Sequence, residues 1–154
     1  MSKIVSKYIE CYVYKKFPGG IKFLILKRSP EKESYPNIWQ IITGRIEKKE
    51  KAYETAIREL KEETGLTPVN MFNLPFVTQF YIAKSDELHL IPLFLAEVDE
   101  DKIRISEEHT EYLWLDYKSA YNKIYWLDQK ENFKKIKKIL KHKKLLKTLV
   151  KRNK

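Results

Sequence analysis

Residues 44–66 read GRIEKKEKAYETAIRELKEETGL. Nine of these positions fall into a fixed pattern: Gly44, Glu50, Arg58, Glu59, Leu60, Glu62, Glu63, Gly65 and Leu66. At average residue frequencies such a pattern arises at a given start on the order of once in a hundred million. From Glu50 to Thr64 there is no proline or glycine and strong helix formers dominate, while Gly65 and Pro68 supply a stop. A helix is therefore predicted over Glu50 to Thr64. At about 100° per residue, Ala52, Tyr53, Ala56, Ile57 and Leu60 share one apolar arc that must face a core. Glu59 and Glu63, at i and i+4, stand on the border of that arc, and Glu62 lies one step outward.

Carboxylates crowded at a core margin are costly. Each loses part of its hydration, and each raises its neighbours' pKa unless a cation neutralises the group. Clustered hard oxygen donors suit Mg²⁺ or Mn²⁺, which keep some water and bridge to phosphates. The helix thus reads as a divalent-metal platform for phosphate chemistry. The competing reading is a solvated helix whose glutamates pair with Lys51, Arg58 and Lys61. The apolar arc beside the glutamates and the Gly44 loop just before them favour the metal. Arg58 is placed on the solvent-leaning side near Glu54 and Glu62, where it would orient a carboxylate by ion pairing.

The segment resembles the Nudix box, with no mismatch, and the likeness reaches further. IWQIITGRIE resembles the strand and loop that enter the box in Nudix pyrophosphohydrolases of nucleoside or pterin triphosphates. SEEHTEYLWL resembles the segment where that branch supplies a distant glutamate, and together these similarities cover most of residues 5–140. The resemblance implies an α/β/α sandwich with a mixed sheet. It makes Glu59 and Glu63 the principal metal ligands, with Glu62 in the same cluster and Glu108, in preference to Glu107, as ligand or base. It gives Arg28 a contact to substrate phosphate, brings the backbone of Thr43 and Gly44 close to metal-bound phosphates, and leaves Glu50, Arg58 and Gly65 structural. Lys49 stands where many relatives have glycine, which reshapes the loop without removing a ligand.

The implied reaction is hydrolysis of a nucleoside diphosphate linked to another moiety, with a nucleoside triphosphate or dihydroneopterin triphosphate as leading substrate. The products would be a monophosphate and pyrophosphate. Diadenosine polyphosphates or RNA 5′ ends form the alternative within the enzyme class. A non-catalytic nucleic-acid-binding module is the alternative outside it, disfavoured because a pure binder has no need of the costly carboxylates.

The 154 residues, 43% of them apolar, fit one domain over 1–154. Strands are expected at Ser6 to Lys15 and Ile21 to Lys27, joined by a turn at Pro18-Gly19-Gly20. Others follow at Ile38 to Thr43, Val69 to Ala83, Leu88 to Val98 and Tyr112 to Leu115, with a short helix at Tyr117 to Ile124. This alternation indicates an α/β sandwich with a mixed sheet. Cys11, the one cysteine, excludes an internal disulfide and reads as a buried thiol. No apolar run suits a signal peptide or a membrane span, so a cytoplasmic monomer or homodimer is expected. Trp39, Phe80 and Tyr81 could stack on a ring, against a default of core packing. His89 and His142 read as packing or surface residues, and His109 as a neighbour able to orient Glu108.

Charge is concentrated at one end. Residues 128–154 carry twelve Lys/Arg against two acids, a surplus of ten that equals the net charge of the whole chain. With Phe133, Ile136, Ile139, Leu140, Leu146, Leu149 and Val150 at spacings near three and four, the stretch reads as a basic amphipathic helix packed on the domain. Attraction to nucleic acid or an anionic membrane is the secondary reading.

Overall fold

The computed structural model describes residues 1–151, with side chains through Leu149. Eight strands form one sheet: β1 (Lys3–Val5), β2 (Tyr8–Phe17), β3 (Gly20–Arg28), β4 (Trp39–Gln40), β5 (Ile42–Arg45), β6 (Asn70–Ile82), β7 (Glu87–Glu97) and β8 (His109–Leu115). Helix α1 (Ala52–Thr64) follows β5, and α2 (Tyr117–Lys123), α3 (Leu127–Leu140) and α4 (Lys143–Lys151) follow β8.

Strand β2 organises the sheet. Its first half pairs antiparallel with β5, its second half antiparallel with β3, and its other edge runs parallel to β7. The sheet is therefore mixed, and β1, which the alternation pattern did not reveal, adds a parallel pairing at the start of β7, on the same edge that β2 occupies further along, while β6 takes the other edge. Side chains of β2 alternate between two cores, as the period of two requires. Ile9, Cys11 and Val13 face α1 together with Leu24, Leu26, Ala56 and Leu60. Tyr12 and Tyr14 face the other helical layer with Phe23, Ala120, Phe133 and Ile136. The result is the expected α/β/α sandwich.

Beyond β1, strand β8 starts at His109 instead of Tyr112, and two expected elements are each divided in two. The strand expected over residues 38–43 divides into β4 and β5, because the chain changes partners there: Trp39 and Gln40 pair with β3, and residues 42–45 pair with β2. The single basic helix also divides. A turn at Lys141-His142 separates α3 from α4, and the His142 ring Nδ1 accepts the Leu145 N–H at 3.2 Å, capping the second helix. The break lets α4 fold back onto β6 and bury Leu149, with Leu145 and Leu146 half-buried against the same core. The lysines between the apolar positions remain outward. Among the described residues no helix is long and apolar enough to cross a membrane.

Candidate active site

Helix α1 places the carboxylates. It begins at Ala52, where Glu54 Oε2 accepts the Lys51 N–H at 2.9 Å. It ends at Gly65, which takes the left-handed conformation (φ 78°) and closes the last turn on Lys61 O at 2.8 Å. Leu60 and Ala56 are wholly buried, and this pins the rotation of the helix. Glu63 is consequently almost buried, Glu59 largely so, and Glu62 exposed, as the apolar arc implied.

Glu59 lies directly over Gly44 of β5. A Cβ built on Gly44 would stand 2.3 Å from Glu59 Cγ and 2.6 Å from Oε1. Only a glycine leaves room for that carboxylate against the strand. Desolvation pushes the Glu59 carboxyl up to about 7; Arg58 opposes this, while Glu62 and Glu63 add to it.

Arg58 ties the loop to the helix. Its Nε and Nη2 donate to both Glu50 oxygens at 2.8 and 3.0 Å, and Nη2 also donates to Arg45 O at 3.0 Å. Its Nη1 donates to Glu59 Oε1 at 2.9 Å and Glu62 Oε2 at 3.1 Å. The orienting role is as expected, but its partners include Glu50 and not Glu54, which is occupied in capping the helix. Chiefly through this arginine, and through Thr55, the Glu50 carboxyl is held at about 2. Lys49, just before it, adopts φ 69°, a left-handed conformation that explains why glycine suits this position.

Two groups that spacing did not assign to Glu63 meet it. His109 Nδ1 lies 2.7 Å from Glu63 Oε2, and Ser106 Oγ donates to the same oxygen at 2.8 Å. Burial raises the Glu63 carboxyl, yet His109, Ser106 and the neighbouring Glu108 outweigh it and hold the group below its usual range. His109 thus orients Glu63 and not Glu108. The Glu108 carboxylate is exposed at the rim, 3.6 Å from Lys32 Nζ, and its backbone carbonyl accepts the Ser29 N–H at 2.9 Å.

Among the described residues no three Asp, Glu, His or Cys side chains converge as a ready set of ligands. Arg58 draws Glu59 and Glu62 to one side, and His109 holds Glu63 on the other. The donors still fit a hard divalent cation: all are carboxylate oxygens, one is half-desolvated over a glycine with its carboxyl raised, and another is kept ionised beside it.

Thr43, adjacent to Gly44, connects this cluster to a cleft of about 880 Å³. Arg28, Thr43, Gln40, Glu10, Asp128 and Gln129 supply its polar wall, and Tyr8, Tyr35, Phe80 and Trp126 its aromatic one. Arg28 is anchored by Nη2 to Ser34 O at 3.1 Å, while its buried Nε has no hydrogen-bond partner among the described residues. Trp39 and Tyr81 do not line the cleft. Trp39 packs toward the core under Lys123 Nζ, and Tyr81 points outward to Asp86. Their neighbours in β4 and β6, Gln40 and Phe80, take the cleft side by strand alternation.

The sandwich thus sets a cluster of carboxylates one residue along β5 from the wall of an aromatic cleft. The family model for the NUDIX domain matches residues 12–138, and the chain belongs to the Nudix hydrolases. It is 29% identical over 120 residues to the asymmetrical bis(5′-nucleosyl)-tetraphosphatase of Caenorhabditis elegans, covering 76% of this chain and 83% of that one. It is 31% identical over 111 residues to the dihydroneopterin triphosphate diphosphatase of Haemophilus influenzae, covering 64% of this chain and 68% of that one. An octanoyltransferase of Myxococcus xanthus is 30% identical over 117 residues, 74% of this chain but only 32% of that longer protein. A Nudix hydrolase structure from Listeria monocytogenes superposes with a TM-score of 0.76 at 23% identity, over 89% of this chain and 95% of that one. Members of the family generally need a divalent metal such as Mg²⁺.

Proposed function

We propose that this chain hydrolyses a nucleoside triphosphate, or the pterin analogue dihydroneopterin triphosphate, to the monophosphate and pyrophosphate, with Mg²⁺ or Mn²⁺ as cofactor. The observation that carries this reading is the Glu59 carboxylate seated on Gly44, near the buried Glu63 and one residue along β5 from Thr43, which lines the aromatic cleft. Glu59, Glu63 and Glu62 would hold the metal, with Glu108 completing the set or serving as base. When bound, a divalent ion there supplies charge neutralisation and lowers the pKa of an attacking water.

The chain's own residues do the rest. Arg28 offers an unpaired N–H to phosphate oxygens, and the Thr43-Gly44 backbone lets them approach without a side chain intervening. Arg58 fixes Glu59 through one N–H while anchored to Glu50 by two others, so the carboxylate keeps its place over the strand. His109 and Ser106 keep Glu63 ionised and aimed. Glu108, at the exposed rim next to Glu63, takes the proton of the attacking water. Tyr35, Phe80 and Trp126 receive the ring.

The tetraphosphatase relative favours a dinucleoside polyphosphate as second reading. The test is a Mg²⁺-dependent screen over nucleoside triphosphates, dihydroneopterin triphosphate, dinucleoside polyphosphates and triphosphorylated RNA, with products resolved by ³¹P NMR. Pyrophosphate plus a monophosphate from a triphosphate supports the proposal. Turnover confined to dinucleoside polyphosphates or to RNA overturns it.

A further inference from the structure

The floor of the cleft holds a carboxyl that hydrolysis does not use. Glu10 lies on β2 opposite Thr43, is only 4% exposed, and faces the α3 layer. Its Oε1 accepts the Thr78 hydroxyl at 2.8 Å and, at 3.4 Å each, the Tyr12 hydroxyl and the Asn132 amide. Its Oε2 accepts the Gln129 amide at 3.0 Å. All four partners are neutral. Asp128, the nearby charged residue, has the same sign, and burial, the largest influence, pushes the Glu10 carboxyl up to about 7.

A buried carboxyl without a counter-cation is costly, and all four neighbours donate to this one, so both of its oxygens are used as acceptors. Oε2 keeps acceptor capacity beyond its one bond. Above this floor stand flat walls. Phe80 stacks on His89 with centroids 4.9 Å apart and planes 6° apart, and Tyr35 meets Trp126 edge-on at 4.6 Å. A planar heterocycle entering between these walls brings its polar edge down to Glu10.

The edge that suits a carboxylate carries N–H donors side by side. The 2-amino-4-oxo-pyrimidine edge shared by guanine and pterin offers a ring N–H next to an exocyclic amino group. Adenine instead offers an amino group next to a bare ring nitrogen, whose lone pair faces the carboxylate oxygens. We propose that Glu10 is a specificity-determining residue that selects a 2-amino-4-oxo heterocycle over adenine. This deepens, and rests on, the assignment of the aromatic cleft to the substrate's ring, but it does not depend on hydrolysis.

The test is calorimetric binding of GMP, IMP, AMP and dihydroneopterin monophosphate to the full chain and to Glu10→Gln. GMP is expected to bind at least about tenfold more tightly than AMP, with IMP, which lacks the 2-amino group, between them. In Glu10→Gln the GMP-to-AMP ratio is expected to fall toward one through loss of GMP affinity. Tighter binding of the pterin than of GMP, with the same dependence on Glu10, supports the residue's role and assigns the edge to the pterin. AMP binding as tightly as GMP to the unaltered chain overturns the proposal, whether or not Glu10→Gln folds. So does an unchanged ratio in a folded Glu10→Gln. Discrimination without any triphosphate turnover would refute the hydrolytic reading alone, and turnover without discrimination would refute only the role of Glu10.

Discussion

Replacing Gly44 with alanine tests the seat of Glu59. The added Cβ would lie 2.3 Å from Glu59 Cγ, 2.4 Å from Cδ and 2.6 Å from Oε1. Ordinary contact begins near 3.4 Å, so the carboxylate must retreat by about 1.1 Å. It would leave both the strand and the 2.9 Å bond from Arg58. A misplacement of about 1 Å in a positioned catalytic group is worth roughly a hundredfold in rate, about 2.7 kcal/mol of transition-state stabilisation. Overpacking costs on the order of 1–3 kcal/mol of stability, with Tm falling about 2–4 °C for each kcal/mol in a chain of this size. The assay is kcat/KM for a nucleoside triphosphate as a function of Mg²⁺ concentration, with Gly19→Ala as control, since nothing lies within 4 Å of a Cβ there. Gly44→Ala is expected to need more Mg²⁺ and to lose about two decades of kcat/KM, while Gly19→Ala behaves as the parent. A Gly44→Ala rate within about threefold of the parent, at the same Mg²⁺ requirement, would refute the idea that glycine is there to admit Glu59.

The rim carboxylate is tested by comparing Glu108→Gln with Glu107→Gln: the first should lower kcat strongly and the second little, and the reverse ranking would move the role to Glu107. The pH dependence follows from Glu10 and Glu59, whose carboxyls rise from 4.5 to about 7 on folding. Between those values the folded chain binds more protons at these two groups than the unfolded one, so their contribution to stability is fully present below about pH 4.5 and is lost as pH rises through about 7. Glu50, lowered to about 2, acts oppositely, its contribution being lost as pH falls below 4.5. In EDTA, calorimetry should show Tm falling from pH 5 to pH 7, less steeply in Glu10→Gln; a flat or rising Tm would contradict the burial of these groups. Deleting residues 141–154 removes Leu149 from the core, and its full burial is worth about 1.5–3 kcal/mol. Tm should therefore drop by at least about 3 °C, and an unchanged Tm would show that α4 does not pack on β6.

Local pattern made much of the site legible. The arc Ala52-Ala56-Leu60 set the rotation of α1 and hence the burial order of Glu63, Glu59 and Glu62, and Gly65 marked where the helix ends. What escaped was chosen by contacts distant in sequence. Ser106 and His109 reach Glu63 across 43 and 46 residues, and Glu10 is held by Thr78 and Gln129, 68 and 119 residues away. No spacing rule joins such pairs. The cleft aromatics illustrate a second limit: a one-residue change of parity separates Phe80 from Tyr81, and only the register of β6 against β7 decides which faces the cleft. The basic stretch kept its apolar spacing through Lys141 and His142, so periodicity carried no sign of the turn that sends α4 back over β6.

The central claim is that the carboxylates of α1 carry a metal-dependent hydrolysis. It is tested most directly by Glu63→Gln, which keeps shape and removes charge. Turnover of a nucleoside triphosphate at saturating Mg²⁺ should fall at least about a hundredfold in a variant whose circular dichroism and Tm show it folded. Turnover within a few-fold of the parent, in the same folded variant, would contradict the account.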